Sequence, residues 1–379
     1  MQSKLPNVGT TIFTVMSKMA QDHNAINLSQ GFPDFDCPER LKELVSYYLN
    51  DRRNQYPPMT GIPALREQIA KKVSQYYGYD ADPETEVTVT SGATEALFDA
   101  IQAVVSAGDE VIVFDPAYDS YEPAVILAGA KTIHIPMSQP DYSIDWDRVE
   151  QSLSEKTRLI IINSPHNPCG SLLQDSDFDT LARIIRDRNI LVLSDEVYEH
   201  MVFDGVKHKS VLSHPELREK SFAVFSFGKT YHATGWKLAY CVAPKNLTIE
   251  FRKVHQFVTF TSSSFVQFAI ADFMQECPEH ALELPKFYQA KRDYFCSLVQ
   301  DSRFSFTPSG GTYFQLLDYS EISDQSDMDF NLYLTKEKGV AAIPLTPFYE
   351  SAPDSRVLRF CFCKDDSTLE QAAEILCAL

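Results

Sequence analysis

Lys229 and Lys237 stand eight residues apart, with the hydroxyl of Ser226 three residues before the first. A lysine amine can form an exchangeable imine with an aldehyde. A second cation and a hydroxyl beside it make a place for an anion. The apolar run Phe222-Ala223-Val224-Phe225 reads as a buried strand entering this stretch. Leu238-Ala239-Tyr240-Cys241-Val242-Ala243 reads as a strand leaving it. A lone lysine here would snorkel to water; its company suggests a nucleophile beside an anion site. Gly228-Lys229-Thr230 also matches the tail of a nucleotide-binding loop, G-x-x-x-x-G-K-[ST]. That motif needs glycine at position 223, where Ala223 stands, and a helix rather than a strand must follow. The nucleotide reading fails on both counts.

Other groups fall at comparable places. Ser91-Gly92-Ala93-Thr94 lies between an expected strand and a helix start. Free N–H groups and the helix dipole favour an anion there, although taken alone the stretch reads better as a plain helix cap. Asp195 directly follows the buried strand Ile190 to Ser194, as a loop cap or as a site carboxylate, and Tyr198 comes three residues later. Asn167 sits in the proline-flanked loop Ser164 to Pro168 and by itself is a turn residue. Arg359 lies within the apolar strand Val357 to Phe360. A guanidinium there is costly unless it binds a carboxylate, either a ligand's or that of a structural salt bridge. Taken together, these groups describe a site for a phosphorylated aromatic aldehyde and an amino acid.

The elements that must position them alternate. Between residues 86 and 195, strands near 87–90, 111–114, 132–135, 159–163 and 190–194 are separated by helices near 91–106, 118–128, 145–153 and 175–188. Such alternation predicts an α/β fold, a mostly parallel sheet flanked by helices, with ligands at the carboxyl ends of its strands. Helices are also expected at Thr11–Ala20, Glu39–Asn50 and Ile62–Tyr77, and in a long stretch from Ala243 to Gln300 broken near Pro278 and Pro285. Strands at 304–306, 312–317, 340–343 and 357–362, with helices near 327–338 and 367–376, predict a smaller α+β domain. The expected division is 46–285 for the large domain, with 1–45 and 286–379 forming the small one.

Composition narrows the classes. Of the 379 residues, 44% are hydrophobic and 23% charged, which is ordinary for a globular protein. A formal charge of -18 argues against nucleic acid and against an anionic membrane surface as partners. No run approaches a membrane helix, and the first 20 residues lack a continuous apolar segment, so no secretory signal is expected. The eight cysteines are scattered without C-x-x-C, which suggests reduced thiols in the cytoplasm and no zinc. No G-x-G occurs, so a nicotinamide dehydrogenase fits poorly.

Over nearly its whole length the sequence resembles the class I/II, fold-type I pyridoxal-phosphate aminotransferases. The resemblance rests on Ser226-x-x-Lys229 with Gly235-Trp236-Lys237, Asn167-Pro168-x-Gly170, Asp195-Glu196-x-Tyr198 and the late Arg359. Asn27-Leu28-Ser29-Gln30-Gly31-Phe32-Pro33-Asp34-Phe35 is similar to the subgroup of methionine aminotransferases and kynurenine aminotransferase/glutamine transaminase K. Cys169 and Ala239 depart from the usual small residue and glycine, at positions that carry no chemistry.

The resemblance implies pyridoxal 5'-phosphate held by Lys229 as a Schiff base, with the same lysine later moving the substrate's α-proton. It implies Asp195 at the ring nitrogen, Asn167 and Tyr198 at the ring oxygen, and Tyr118 on the ring face. Ser226, Lys237, Gly92, Ala93 and Thr94 would take the phosphate, with Tyr56 arriving from the neighbouring subunit of a homodimer. Arg359 would bind the substrate carboxylate, with Gly31, Asn167, Phe13 and Phe32 around the substrate. The implied reaction is transamination between a neutral, bulky L-amino acid, methionine first, and a 2-oxo acid. Kynurenine transamination or β-elimination from cysteine conjugates is the enzymatic alternative. A non-catalytic regulator is a further one, against which Lys229 itself speaks.

Overall fold

The chain, known from a computed structural model, is described for residues 2–379. A seven-stranded sheet runs through it in the spatial order Val87–Thr90, Ala239–Val242, Ser221–Ser226, Leu191–Asp195, Thr157–Asn163, Glu110–Asp115, Lys131–Pro136. Ala239–Val242 lies antiparallel to both of its neighbours. The remaining pairs are parallel. The central strands are buried apart from Arg158 and Ser226, which are half-buried. Both faces are covered by helices, which is why these strands read as unbroken apolar runs. Leu65, Ile69, Val192 and Phe225 belong to the core on one face, and Leu97, Ile101, Val111, Phe222 and Phe251 to the core on the other.

Register brings the chemistry to one edge. Asn163 pairs with Asp195 across neighbouring strands, and Ser226 is the last residue of the next strand. At the same edge, Gly92 turns the chain with φ 91° into the helix Ala93–Val104. A Cβ on Gly92 would lie 3.0 Å from Lys237 Nζ, and that left-handed φ is one L side chains rarely adopt.

A second sheet has three antiparallel strands, in the order Ile343–Pro344, Val357–Cys361, Phe314–Asp318. Its core holds Tyr288, Phe295, Phe330 and Phe360. The helix Ile12–Asp22 packs through Ile12 and Met16 on Ile343 and Phe348. Ile26–Asn27 pairs with Val340–Ala341 and ties the N-terminal segment to this part of the chain.

Two expectations need correcting. Residues 304–306 form no strand of their own and leave only an isolated bridge, Ser305 to Asp318. Pro308, which has no N–H, follows two residues later and prevents a ladder from extending. Pro285 does not break its helix, which runs from Glu279 to Val299. Leu284, Tyr288 and Phe295 from that helix are buried in the second core, and this packing outweighs the missing bond. The interruption expected near Pro278 is present, between Glu276 and Glu279, and a further one that was not expected falls between Val258 and Ser264, where Phe260 takes φ 72°. All eight cysteines are free, with only Cys377 exposed and Cys277 half-buried. Among the described residues, no helix is long and apolar enough to cross a membrane.

Candidate active site

A cavity of about 300 Å³ opens at the carboxyl edge of the large sheet. Gly31, Phe13 and Phe32 line it from the N-terminal segment; Gly92, Ala93, Thr94 and Tyr118 line it from the sheet edge. Asn167, Asp195, Tyr198, Ser226, Lys229, Lys237 and Arg359 complete the set expected from sequence. Tyr56 is the exception. It lies outside the cavity, 84% exposed, with its ring against Phe260 at 5.6 Å.

Lys229 sits in the single turn Phe227–Thr230 that closes the strand Ser221–Ser226, and the Ser226 hydroxyl caps that turn by accepting from Lys229 N–H at 3.3 Å. The Lys229 ammonium donates to Tyr313 Oη at 2.6 Å and to the Gly31 carbonyl at 3.0 Å. Tyr313 Oη in turn donates to the same carbonyl. Burial pulls the lysine's pKa down to about 8, and Arg359 adds to the pull. A usable fraction of neutral, nucleophilic amine follows near neutral pH.

Asp195 ends its strand fully enclosed, and burial raises its carboxyl to about 6 against the opposing bonds from Tyr121 and Val197. Tyr121 Oη donates to Asp195 Oδ2 at 2.7 Å, and Val197 N–H donates to Oδ1 at 3.3 Å. Asn163 Nδ2 donates to the Asp195 carbonyl at 2.8 Å while its Oδ1 accepts from Asn167 N–H at 2.7 Å. The cross-strand pair therefore fixes the Asn167 loop to the Asp195 strand.

Arg359 is fully buried. Its Nη1 donates to Asn167 Oδ1 at 2.7 Å and its Nη2 to the Ser29 carbonyl at 2.8 Å. The guanidinium lies 3.8 Å from the Phe314 ring centroid and 5.1 Å from that of Phe13. Its Nε has no partner. A buried cation with a free N–H and no carboxylate against it is poised for a ligand carboxylate.

Tyr118 precedes the helix Tyr121–Leu127 rather than starting it, and burial pushes its hydroxyl up to about 12. The N-terminus of Ala93–Val104 points free amides at the cavity beside Lys237, which takes a left-handed φ of 52°. Helix dipole, amides and ammonium together suit a phosphate.

Tyr313, Tyr121, Phe314 and Asn163 were not singled out from sequence. Tyr313 and Phe314 appear there only as part of a strand, and Tyr121 only as part of a helix. Strand and helix periodicity say which residues share a face, not which residue meets a lysine 84 positions away in the chain.

Residues 23–376 match the family described as aminotransferase class I and II. Over 375 residues the chain is 52% identical to the methionine aminotransferase of Escherichia coli, covering 99% of this chain and 97% of that one. It is 34% identical over 404 residues to human kynurenine–oxoglutarate transaminase 3, covering 98% and 89%. The crystal structure of an Escherichia coli protein with a methionine aminotransferase function superposes with a TM-score of 0.98 at 51% identity, covering 100% and 99% of the two chains. With a lysine in a cavity whose helix amides and second lysine suit a phosphate, and this likeness over its whole length, the chain belongs to the class I and II aminotransferases, enzymes dependent on pyridoxal phosphate.

Proposed function

We propose that this aminotransferase takes the amino group from a neutral, bulky L-amino acid, methionine first, and passes it to a 2-oxo acid. The observation that carries the proposal is the cation inventory of the cavity, in which only Lys229, Lys237 and Arg359 are cationic among the lining residues. In this reading each has a task at the cofactor or at the α-carboxylate, so no charge remains for an acidic side chain. Phe13, Phe32, Tyr118 and Phe314 offer rings instead. Apolar burial gains about 0.8 kcal/mol per CH₂, whereas an aspartate side chain there would be desolvated and unpaired. Methionine's thioether suits ring edges. The 52% identity to a methionine aminotransferase supports the same substrate.

The donor set fits pyridoxal phosphate. Gly92, Ala93, Thr94, Ser226 and Lys237 would hold the phosphate, Asp195 would keep the ring nitrogen protonated, and Asn167 and Tyr198 would bind the ring oxygen. Tyr118 would cover the ring face, and Gly31 would let the backbone come close. When bound, the cofactor supplies an electron sink for the pair left at the substrate's α-carbon. Lys229 would hold the cofactor, and its Nζ would take and return the substrate's α-proton. Arg359 and Asn167 orient the carboxylate, a two-pronged contact that lysine cannot make.

We place the active unit as a homodimer in which Tyr56 completes the neighbour's site. Tyr56, 84% exposed and packed on the half-exposed Phe260, supports a second copy covering this surface. Separate cores support a large and a small domain, with Leu41 and Leu44 packed in the large core and Leu284 in the small one, on the other side of the bounds at 46 and 285; the free thiols suit the cytoplasm. The 34% identity to a kynurenine transaminase and the aromatic lining favour kynurenine as an alternative donor. A panel of amino donors at one fixed 2-oxo acid tests the reading. A higher specificity constant for aspartate than for methionine or phenylalanine overturns it. Pyruvate release from a cysteine conjugate without an acceptor measures the β-elimination alternative.

A further inference from the structure

Outside the cavity, and used by no step above, three ionisable side chains meet in the interior. His255 Nδ1 lies 2.7 Å from Glu95 Oε1 and 3.5 Å from Asp99 Oδ2, and His255 Nε2 lies 2.9 Å from the Met59 carbonyl. His255 and Asp99 are both wholly buried, and neither Asp99 oxygen has a hydrogen-bond partner. A carbonyl can only accept, so Nε2 carries a proton. Glu95 accepts from Ser91 N–H through its other oxygen, so as a carboxylate it also takes the proton on Nδ1. Both ring nitrogens then donate, and the ring is an imidazolium between two carboxylates. The 2.7 Å separation is that of a shared proton and leaves no space for a metal ion. Burial pushes the imidazole's pKa down, but the two carboxylates outweigh it and raise it to about 9.

Position gives this cluster its meaning. Glu95 lies in the first turn of Ala93–Val104, whose amides face the phosphate end of the cavity, and Asp99 is one turn further along. By accepting from Ser91 N–H, Glu95 closes the Gly92 turn from behind, and Ser91 Oγ meets Ser262 Oγ at 2.9 Å. Met59 belongs to the loop that carries Tyr56, and the next residue's carbonyl, that of Thr60, accepts from Val89 N–H at 3.1 Å. His255 therefore reaches the helix that presents the phosphate amides and the loop that presents Tyr56.

We propose that His255 is a positioning residue for cofactor binding: it braces the phosphate-binding turn through Glu95 and Asp99 and ties that turn to the Tyr56 loop through the Met59 carbonyl. The inference rests on the pyridoxal-phosphate reading of the cavity. It makes phosphate affinity depend on a side chain that touches neither phosphate nor substrate.

The test compares His255→Gln with the unaltered enzyme. Equilibrium binding of pyridoxal 5'-phosphate and of pyridoxal, which lacks the phosphate, is followed by the visible absorbance band. The expected result is a loss of about tenfold or more for the phosphorylated compound, the size of one charge-assisted bond, with pyridoxal changed by less than about threefold. Equal weakening of both, or no weakening, overturns the proposal. If His255→Gln does not fold because two carboxylates are left without their cation, His255→Gln with Asp99→Asn removes one charge and is measured in the same way. An unaltered enzyme that binds pyridoxal as tightly as its phosphate would refute the phosphate site itself rather than the role of His255.

Discussion

Tyr121→Phe removes one hydroxyl from the interior and leaves the ring, which packs edge-on against Tyr118 at 5.6 Å, in place. The lost contact is the 2.7 Å bond to Asp195 Oδ2, between two residues that are 3% and 4% exposed. A bond to a charged group under such burial contributes about 1.5–3 kcal/mol. At 1.36 kcal/mol per pKa unit, that is a rise of roughly one to two units. The carboxyl that burial holds at about 6 then titrates near roughly 7–8 before cofactor binds. In the cofactor-free protein the folded state holds this proton above the ordinary 3.8, so stability falls as pH rises from about 4 to about 6. The variant extends that fall upward. In the loaded enzyme the tyrosine steadies the carboxylate that we assign to the ring nitrogen. Only the part of the bond that differs between ground and transition states reaches kcat, so a loss of about tenfold is expected, with KM nearly unchanged. The assays are a spectral pH titration and the pH profile of kcat/KM. A titration that does not move, with kcat within roughly twofold of the parent, refutes the reasoning.

Lys229→Ala should fold, show no visible cofactor band and fail to turn over; turnover near the parent's, without added amine, removes Lys229 from its role. Arg359→Lys keeps the charge but cannot span Asn167 Oδ1 and the Ser29 carbonyl together, so KM for the amino donor should rise by about tenfold or more. An unchanged KM would place the carboxylate elsewhere. Mixing inactive Lys229→Ala with inactive Tyr56→Phe chains should restore activity, because one site of each mixed dimer is then intact. No gain after verified subunit exchange counts against Tyr56 crossing over.

Much of the site was legible before folding was considered. Lys229, Asp195 and Arg359 could be found because each is a polar residue just past the end of, or inside, an apolar strand, where burial without a task is expensive, whereas Asn167, in a loop, gained meaning only in their company. The alternation of strands and helices is a local signal too, so the parallel sheet and its ligand-bearing edge follow from it. What the tertiary structure alone decided is which groups meet across long separations. Tyr121 reaches Asp195 over 74 positions, Tyr313 reaches Lys229 over 84, and His255 reaches Glu95 over 160. In the sequence these residues look like ordinary members of helices and a strand, because periodicity encodes a face and not the neighbour across it. Pro285 shows the same limit from the other side. Its local preference breaks helices, yet the buried contacts of Leu284, Tyr288 and Phe295 keep the helix whole, and those contacts exist only once the second core has formed.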